Sequence, residues 1–233
     1  MNHFEGKTVL EHLKAARAKG ALAAAEIHGT EVPGHLSAAA DAARDTGVTL
    51  LLLWILFPAE AKLFFLMAAG LFLWKIGRSA LLGWARLERL HRVIEEERWE
   101  IQHAREQERE ELAALYQAKG LSGKLLDEVI TVMMADDNRL LNIMLEEEMG
   151  LALEIYEHPL KQSLGAGVGV LIATALFAGG YFFFSPIAAT ALTIILAAIT
   201  VAKLERNRRL EAVIWNLSLV AFVAAVTYFL KLL

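Results

Sequence analysis

The twenty residues RVIEEERWEIQHAREQEREE, numbers 92–111, decide how the rest of the chain is read. At ~100° of rotation per residue, Glu97, Glu100, Glu108 and Glu111 fall within a wedge about 80° wide on one helix face. Ile94, Ile101 and Leu112 run along one edge of the wedge, and Ala104 and Leu115 lie within it, so this face is turned toward other protein. Carboxylates crowded on a partly covered face repel one another, and a cation or protons must relieve that cost. On a straight helix rising ~1.5 Å per residue, the pairs Glu97/Glu100 and Glu108/Glu111 stand about 16 Å apart. One ion cannot reach both, so the spacing predicts at least two sites, each completed by another helix or another chain.

Charge supports a cationic partner. Between 91 and 157 lie 17 of the chain's 27 acidic residues and seven of its 23 Lys and Arg, leaving this stretch at −10 and the remainder at +6. A field of that sign repels nucleic acid and anionic lipid and draws in cations.

Outward along the chain, Asp136-Asp137-Asn138-Arg139-Leu140 offers a cap for a helix carrying Met144, Glu147 and Glu148, with Met144 and Glu148 one turn apart. Carboxylate oxygen is hard and thioether sulfur soft, so Met beside Glu favours a first-row transition metal over Mg²⁺ or Ca²⁺. A Glu-rich helix is more often a solvated face, and a Met at helical spacing more often core. Spacing alone leaves both readings open. Between the two acidic helices, Gly120, Ser122 and Gly123 set off a helix over 124–135 whose Leu125, Val129, Ile130 and Met133 form an apolar stripe. Core packing is the better reading of Met133 and Met134 too.

The flanks are membrane-like. Hydrophobic residues make up 56% of the 233, with a mean hydropathy of +0.43, too apolar for an ordinary soluble domain. There is no Cys, which excludes disulfides and thiolate metal sites. Five spans are expected, at about 38–57, 61–84, 160–184, 187–202 and 210–230. The first reaches full length only by including Asp41, Arg44 and Asp45, which could satisfy one another near the headgroups. Pro58 ends it, and the second continues without a breaker into the carboxylate helix. Gly165 and Gly169 form a small-xxx-small pair that lets helices approach closely. Tyr181-Phe182-Phe183-Phe184 suits an interfacial belt, and Lys203, Arg206, Arg208 and Arg209 place the loop between spans four and five on the cytoplasmic side. The N-terminus and the acidic module are then cytoplasmic and the C-terminus lies opposite.

Residues 1–37 hold four of the seven histidines, His3, His12, His28 and His35, in a polar arm expected to dock on a lipid or protein surface. Glu26, His28, Glu31 and His35 are candidates for a second metal cluster.

The pattern Glu97-x-x-Glu100, seven residues, Glu108-x-x-Glu111, then Met144-x-x-x-Glu148-Met149-Gly150-Leu151 and an apolar hairpin after Pro159, resembles the vacuolar iron transporter family from about Arg92 onward. The resemblance implies an all-α membrane protein of five transmembrane helices, with a cytoplasmic three-helix metal-binding domain inserted between the second and third. In this chain that means an arm at 1–37, spans at 38–85, the metal domain at 86–158 and spans at 159–233. It further implies a non-enzymatic homodimer that moves Fe²⁺ or a related divalent ion out of the cytosol in exchange for protons. Glu97, Glu100, Glu108, Glu111, Met144 and Glu148 inherit the metal-ligand role. The chain departs from the family in its first two spans. Leu51, Leu52 and Leu53 stand where the family carries an Asp, Met67 and Lys75 lie near its Glu and Met, and Leu145 replaces a frequent second Met. Lys75 is expected to snorkel toward Arg78 and the surface. The alternative function is a membrane metal sensor, store or scaffold that kept the module and lost the pathway acids. A di-iron oxidase is disfavoured, because Glu88-x-x-His91 and Glu100-x-x-His103 lie on one helix, whereas such enzymes place these strings on separate helices.

Overall fold

The computed structural model describes residues 8–24, 34–151 and 158–233, and every regular element among them is helical. The chain divides into two compact units, one formed by Met1–Ala25 with Ala85–Ile155, the other by Glu26–Trp84 with Tyr156–Leu233.

The second unit contains α2 (His35–Leu56), the first half of α3 (Ala61–His103), α7 (Pro159–Phe183), α8 (Pro186–Leu204) and α9 (Arg209–Leu232). Among the described residues four helices, α3, α7, α8 and α9, are long and apolar enough to cross a membrane. No residue of α9 is buried, and Trp215, Phe222 and Phe229 point outward. An apolar surface of that extent is stable in lipid and not in water. Helices α7 and α8 start as their sequences dictate. Each has Pro in its first turn, and the preceding His158 Nδ1 and Ser185 Oγ accept backbone N–H bonds from Leu160 and Ala188.

Helix α2 sits against α7 so tightly that side chains are excluded. A Cβ on Gly165 would stand 2.1 Å from the His35 carbonyl oxygen, and one on Gly169 2.0 Å from that of Ala39. The small-xxx-small pair thus serves an α2–α7 crossing. Beside it, Leu50, Phe64, Ala68 and Phe177 form a core in which the Phe64 ring meets Phe177 and Tyr181 edge-on. Tyr181 also donates its hydroxyl to the Pro58 carbonyl at 3.2 Å.

Lys75 does not snorkel as expected. It is 7% exposed and ion-paired to Asp45, with Asp41 3.6 Å away and itself 3.6 Å from Arg44. Arg44 reaches on to the Asn216 side chain at 3.4 Å. The carboxylates of α2 outcompete distant solvent because an ammonium in an apolar bundle gains more from a nearby opposite charge than from a strained path to water.

Candidate metal centre

The first unit is built from α1 (Val9–Ala24), the end of α3, α4 (Arg105–Ala118), α5 (Gly123–Met133), α6 (Asp137–Ile143) and a π-helical turn, Met144–Glu148. Its inward faces meet over Leu13, Ile101, Leu112, Ile130, Leu140 and Leu145, all buried. In α5 the expected stripe holds at Ile130, which is buried, and at Val129 and Met133, which are half-buried, but Leu126 takes the inward place expected of Leu125, which is exposed.

The acidic helix is not one rod. It breaks at Ala104 (φ −127°, ψ 30°), where α3 ends at His103 and α4 begins at Arg105. The break keeps the helical bonds Ala104 N to Glu100 O (2.7 Å) and Glu108 N to Ala104 O (3.1 Å), so the chain turns a corner without unwinding further. Arg105 holds the new direction, donating to Asp137 at 2.6 Å and to the Met134 carbonyl at 2.5 Å. The separation of about 16 Å expected between the pairs is therefore overturned. Carboxylate oxygens of Glu97, Glu100 and Glu108 lie within 4.8 Å of one another, grouped across the corner.

Glu111 falls into a second group, with Glu148 from the π-turn and His12 from α1, again within 4.8 Å. The His12 Nε2 stands 3.6 Å from Glu111 and 4.0 Å from Glu148. The π-turn follows α6, which the Asp136 carboxylate caps by accepting the Arg139 N–H at 2.8 Å. It closes through Met149 N to Met144 O at 3.3 Å, and Gly150 at φ +69° lets the chain leave it in a left-handed conformation. Met144, on the same π-turn as Glu148, is fully buried, whereas Glu147 is held in an ion pair with Lys119. His103, stacked on Trp99 and bonded to its carbonyl at 2.8 Å, is exposed.

Glu97, Glu108, Glu111 and Glu148 are each 1% exposed or less, and Glu100 is half-buried. Burial comes first among the causes that push the Glu108 carboxyl up to about 10, followed by the charges of Glu97, Glu111 and Glu100 and a hydrogen bond with Glu97. Glu148 is pushed to about 10 by burial and then by Glu111, Glu97, Glu108 and Glu100. The two groups therefore feel each other electrostatically. An arrangement of this kind holds protons or a cation, and hard oxygens with an imidazole among them fit a first-row divalent metal.

All six residues singled out from the sequence are thus brought into one unit. His12 was missed as a member of the centre, since nothing local to 1–37 says where α1 docks. Of the other candidate cluster, Glu26, His28 and Glu31 lie outside the described residues, and His35 is the first residue of α2.

Compared with known proteins, residues 85–231 match the model of the VIT family. No curated protein and no solved structure matches.

Proposed function

The chain belongs to the VIT family, and from that premise we propose that this multi-pass membrane protein captures a divalent transition metal and exports or sequesters it in exchange for protons. Fe²⁺ is the first candidate cargo, with Mn²⁺, Zn²⁺ and Co²⁺ as others. The ligands are Glu97, Glu100, Glu108, Glu111, Met144 and Glu148, in a cytoplasmic domain inserted between the second and third of five spans. The observation that carries this reading is the convergence of buried carboxylates from α3, α4 and the π-turn, which an apo state can sustain only by holding protons. Releasing those protons as the metal enters gives the exchange its chemical basis.

In this reading α2 is the first of the five spans, joining the four apolar helices. Its 22 residues extend about 33 Å. Its charges are compatible with lipid because Lys75 and Arg44 lie beside Asp41 and Asp45. The basic residues Lys203, Arg206, Arg208 and Arg209 support a cytoplasmic metal domain and N-terminus, with the C-terminus on the other side. The chain acts as a homodimer, and the exposed apolar residues of α3 and α9 offer surface for pairing as well as for lipid.

One observation favours a second reading. Lys75 places a fixed positive charge beside the acids of α2, where a divalent ion would be repelled. A membrane metal sensor, store or scaffold would keep the capture domain and tolerate that charge. Purified protein in proteoliposomes decides between them. A transporter accumulates Fe²⁺ or Co²⁺ against an imposed proton gradient, and Glu97→Gln/Glu100→Gln lowers the rate. Binding without any flux supports the second reading.

A further inference from the structure

We propose that His12 is a metal ligand, so that the N-terminal helix completes the Glu111/Glu148 half of the centre and biases it toward divalent ions that accept nitrogen. The proposal rests on the metal-capture reading above.

Three features of the structure carry it. The first is spacing. The His12 Nε2 lies 3.6 Å from a Glu111 oxygen and 4.0 Å from a Glu148 oxygen, longer than the ~2.7–3.2 Å of a hydrogen bond. Two ligand atoms sharing a tetrahedral ion at ~2.1 Å are separated by about 3.4 Å. The His12–Glu111 distance is close to that separation and the His12–Glu148 distance somewhat longer, and all three donor atoms lie within 4.8 Å of one another, within reach of one ion.

The second is seating. At ~100° per residue, His12, Leu13, Ala16 and Gly20 fall within about 100° on one face of α1. Leu13 and Ala16 are buried, and a Cβ on Gly20 would stand 2.3 Å from the Met149 carbonyl oxygen. Arg17 donates Nε–H to the Glu148 carbonyl at 3.3 Å. The helix is thereby held against the end of the π-turn that carries Met144 and Glu148, with His12 two turns before the closest approach.

The third is chemistry. Glu111 and Glu148 supply only hard oxygen, and both are 1% exposed. Adding an imidazole nitrogen raises affinity for Fe²⁺, Co²⁺ and Zn²⁺ more than for Mn²⁺ or Mg²⁺, which suit oxygen. The group draws its donors from α1, α4 and the π-turn, so it is complete only when the N-terminal helix is docked.

The test titrates metal-stripped, full-length protein in detergent with Co²⁺ and, separately, Mn²⁺. His12→Gln is expected to weaken Co²⁺ binding by about tenfold or more and Mn²⁺ binding by less. His12→Asp, which returns an oxygen donor, is expected to recover Mn²⁺ binding and leave Co²⁺ weak. Equal losses for both metals, or no loss, overturn the proposal. Glu97→Gln/Glu100→Gln separates the two levels of argument. If it abolishes binding while His12→Gln does not, the proposal alone fails. If the wild-type chain takes up neither metal, metal capture fails and the proposal with it.

Discussion

A carboxylate oxygen of Glu108 stands within 4.8 Å of one from Glu97, eleven positions earlier, because the chain turns at Ala104 and brings the two onto the inside of one corner. Both are buried, and a shared proton is what allows the contact.

Stability of the metal-free protein should therefore fall as pH rises. Glu108 and Glu148 are raised from an ordinary 4.5 to about 10, so the folded state keeps protons that the unfolded chain has released. The contribution is fully present below about pH 4.5 and lost as pH climbs toward 10. Thermal melts in chelator between pH 6 and 9 are expected to show a declining midpoint, and Co²⁺ to reverse the decline. In weakly buffered solution, adding Co²⁺ should release protons. A metal-free midpoint that rises with pH, or metal binding without proton release, would show that the carboxyls are not protonated.

Glu108→Gln should stabilise the metal-free protein while impairing metal uptake. The amide fills the same space, carries no charge and retains a donor for Glu97. A relief of each kcal/mol moves the midpoint of a chain this size by about 2–4 °C, and a rise of a few degrees at pH 8 is expected. Metal should then add little further stability. Destabilisation in chelator would mean that the Glu97–Glu108 contact is a simple structural hydrogen bond.

The sequence carried the identity of the acidic centre but not its shape. Helical spacing placed Glu97, Glu100, Glu108 and Glu111 on one face, and the same arithmetic misjudged their separation, since Ala104 is a good helix former and gives no warning of a break. The corner is set from outside by Arg105 reaching Asp137 and the Met134 carbonyl, a tertiary cause invisible in local propensity. The sequence groups Asp41, Arg44 and Asp45, and Arg44 does stand 3.6 Å from Asp41, but it leaves Lys75 outside that group, because no single-sequence rule says which face of α2 meets α3. By contrast, the Pro159 and Pro186 helix starts and the Gly165/Gly169 approach were legible, for they follow from missing atoms rather than from packing.

Lys75 and Asp45 should prove energetically coupled. Lys75→Met leaves Asp45 and Asp41 without their main counter-charge in an apolar bundle, and Asp45→Asn does the converse. Each single variant should lower the thermal midpoint in detergent. The double variant should lose less than the sum, with a coupling of about 1–2 kcal/mol after allowance for the partial exposure of Asp45. Strictly additive losses would show that the pair contributes nothing.

Two glycines of α7 make a matched test of the α2 contact. Gly169→Ala would drive a Cβ to within 2.0 Å of the Ala39 carbonyl, and backbone cannot yield as a side-chain tip does. Gly179 has nothing within 4 Å. Gly169→Ala is expected to cost at least about 1–3 kcal/mol by overpacking, while Gly179→Ala gains up to about 1 kcal/mol in helix propensity. Equal midpoints for the two variants would refute the close crossing.

Gly20→Ala offers the same logic with the sign reversed from intrinsic preference. In an exposed helix the change favours α1 by about 1 kcal/mol, since glycine has the greater freedom to lose. In the docked helix the added methyl would lie 2.3 Å from the Met149 carbonyl oxygen and 2.8 Å from its Cβ, so α1 must lift away. His12 then leaves Glu111 and Glu148. Gly20→Ala should consequently weaken Co²⁺ binding to the same extent as His12→Gln, and combining the two should add nothing further. Full Co²⁺ affinity in Gly20→Ala, with α1 more helical by circular dichroism, would show that the N-terminal helix does not rest on the π-turn in solution.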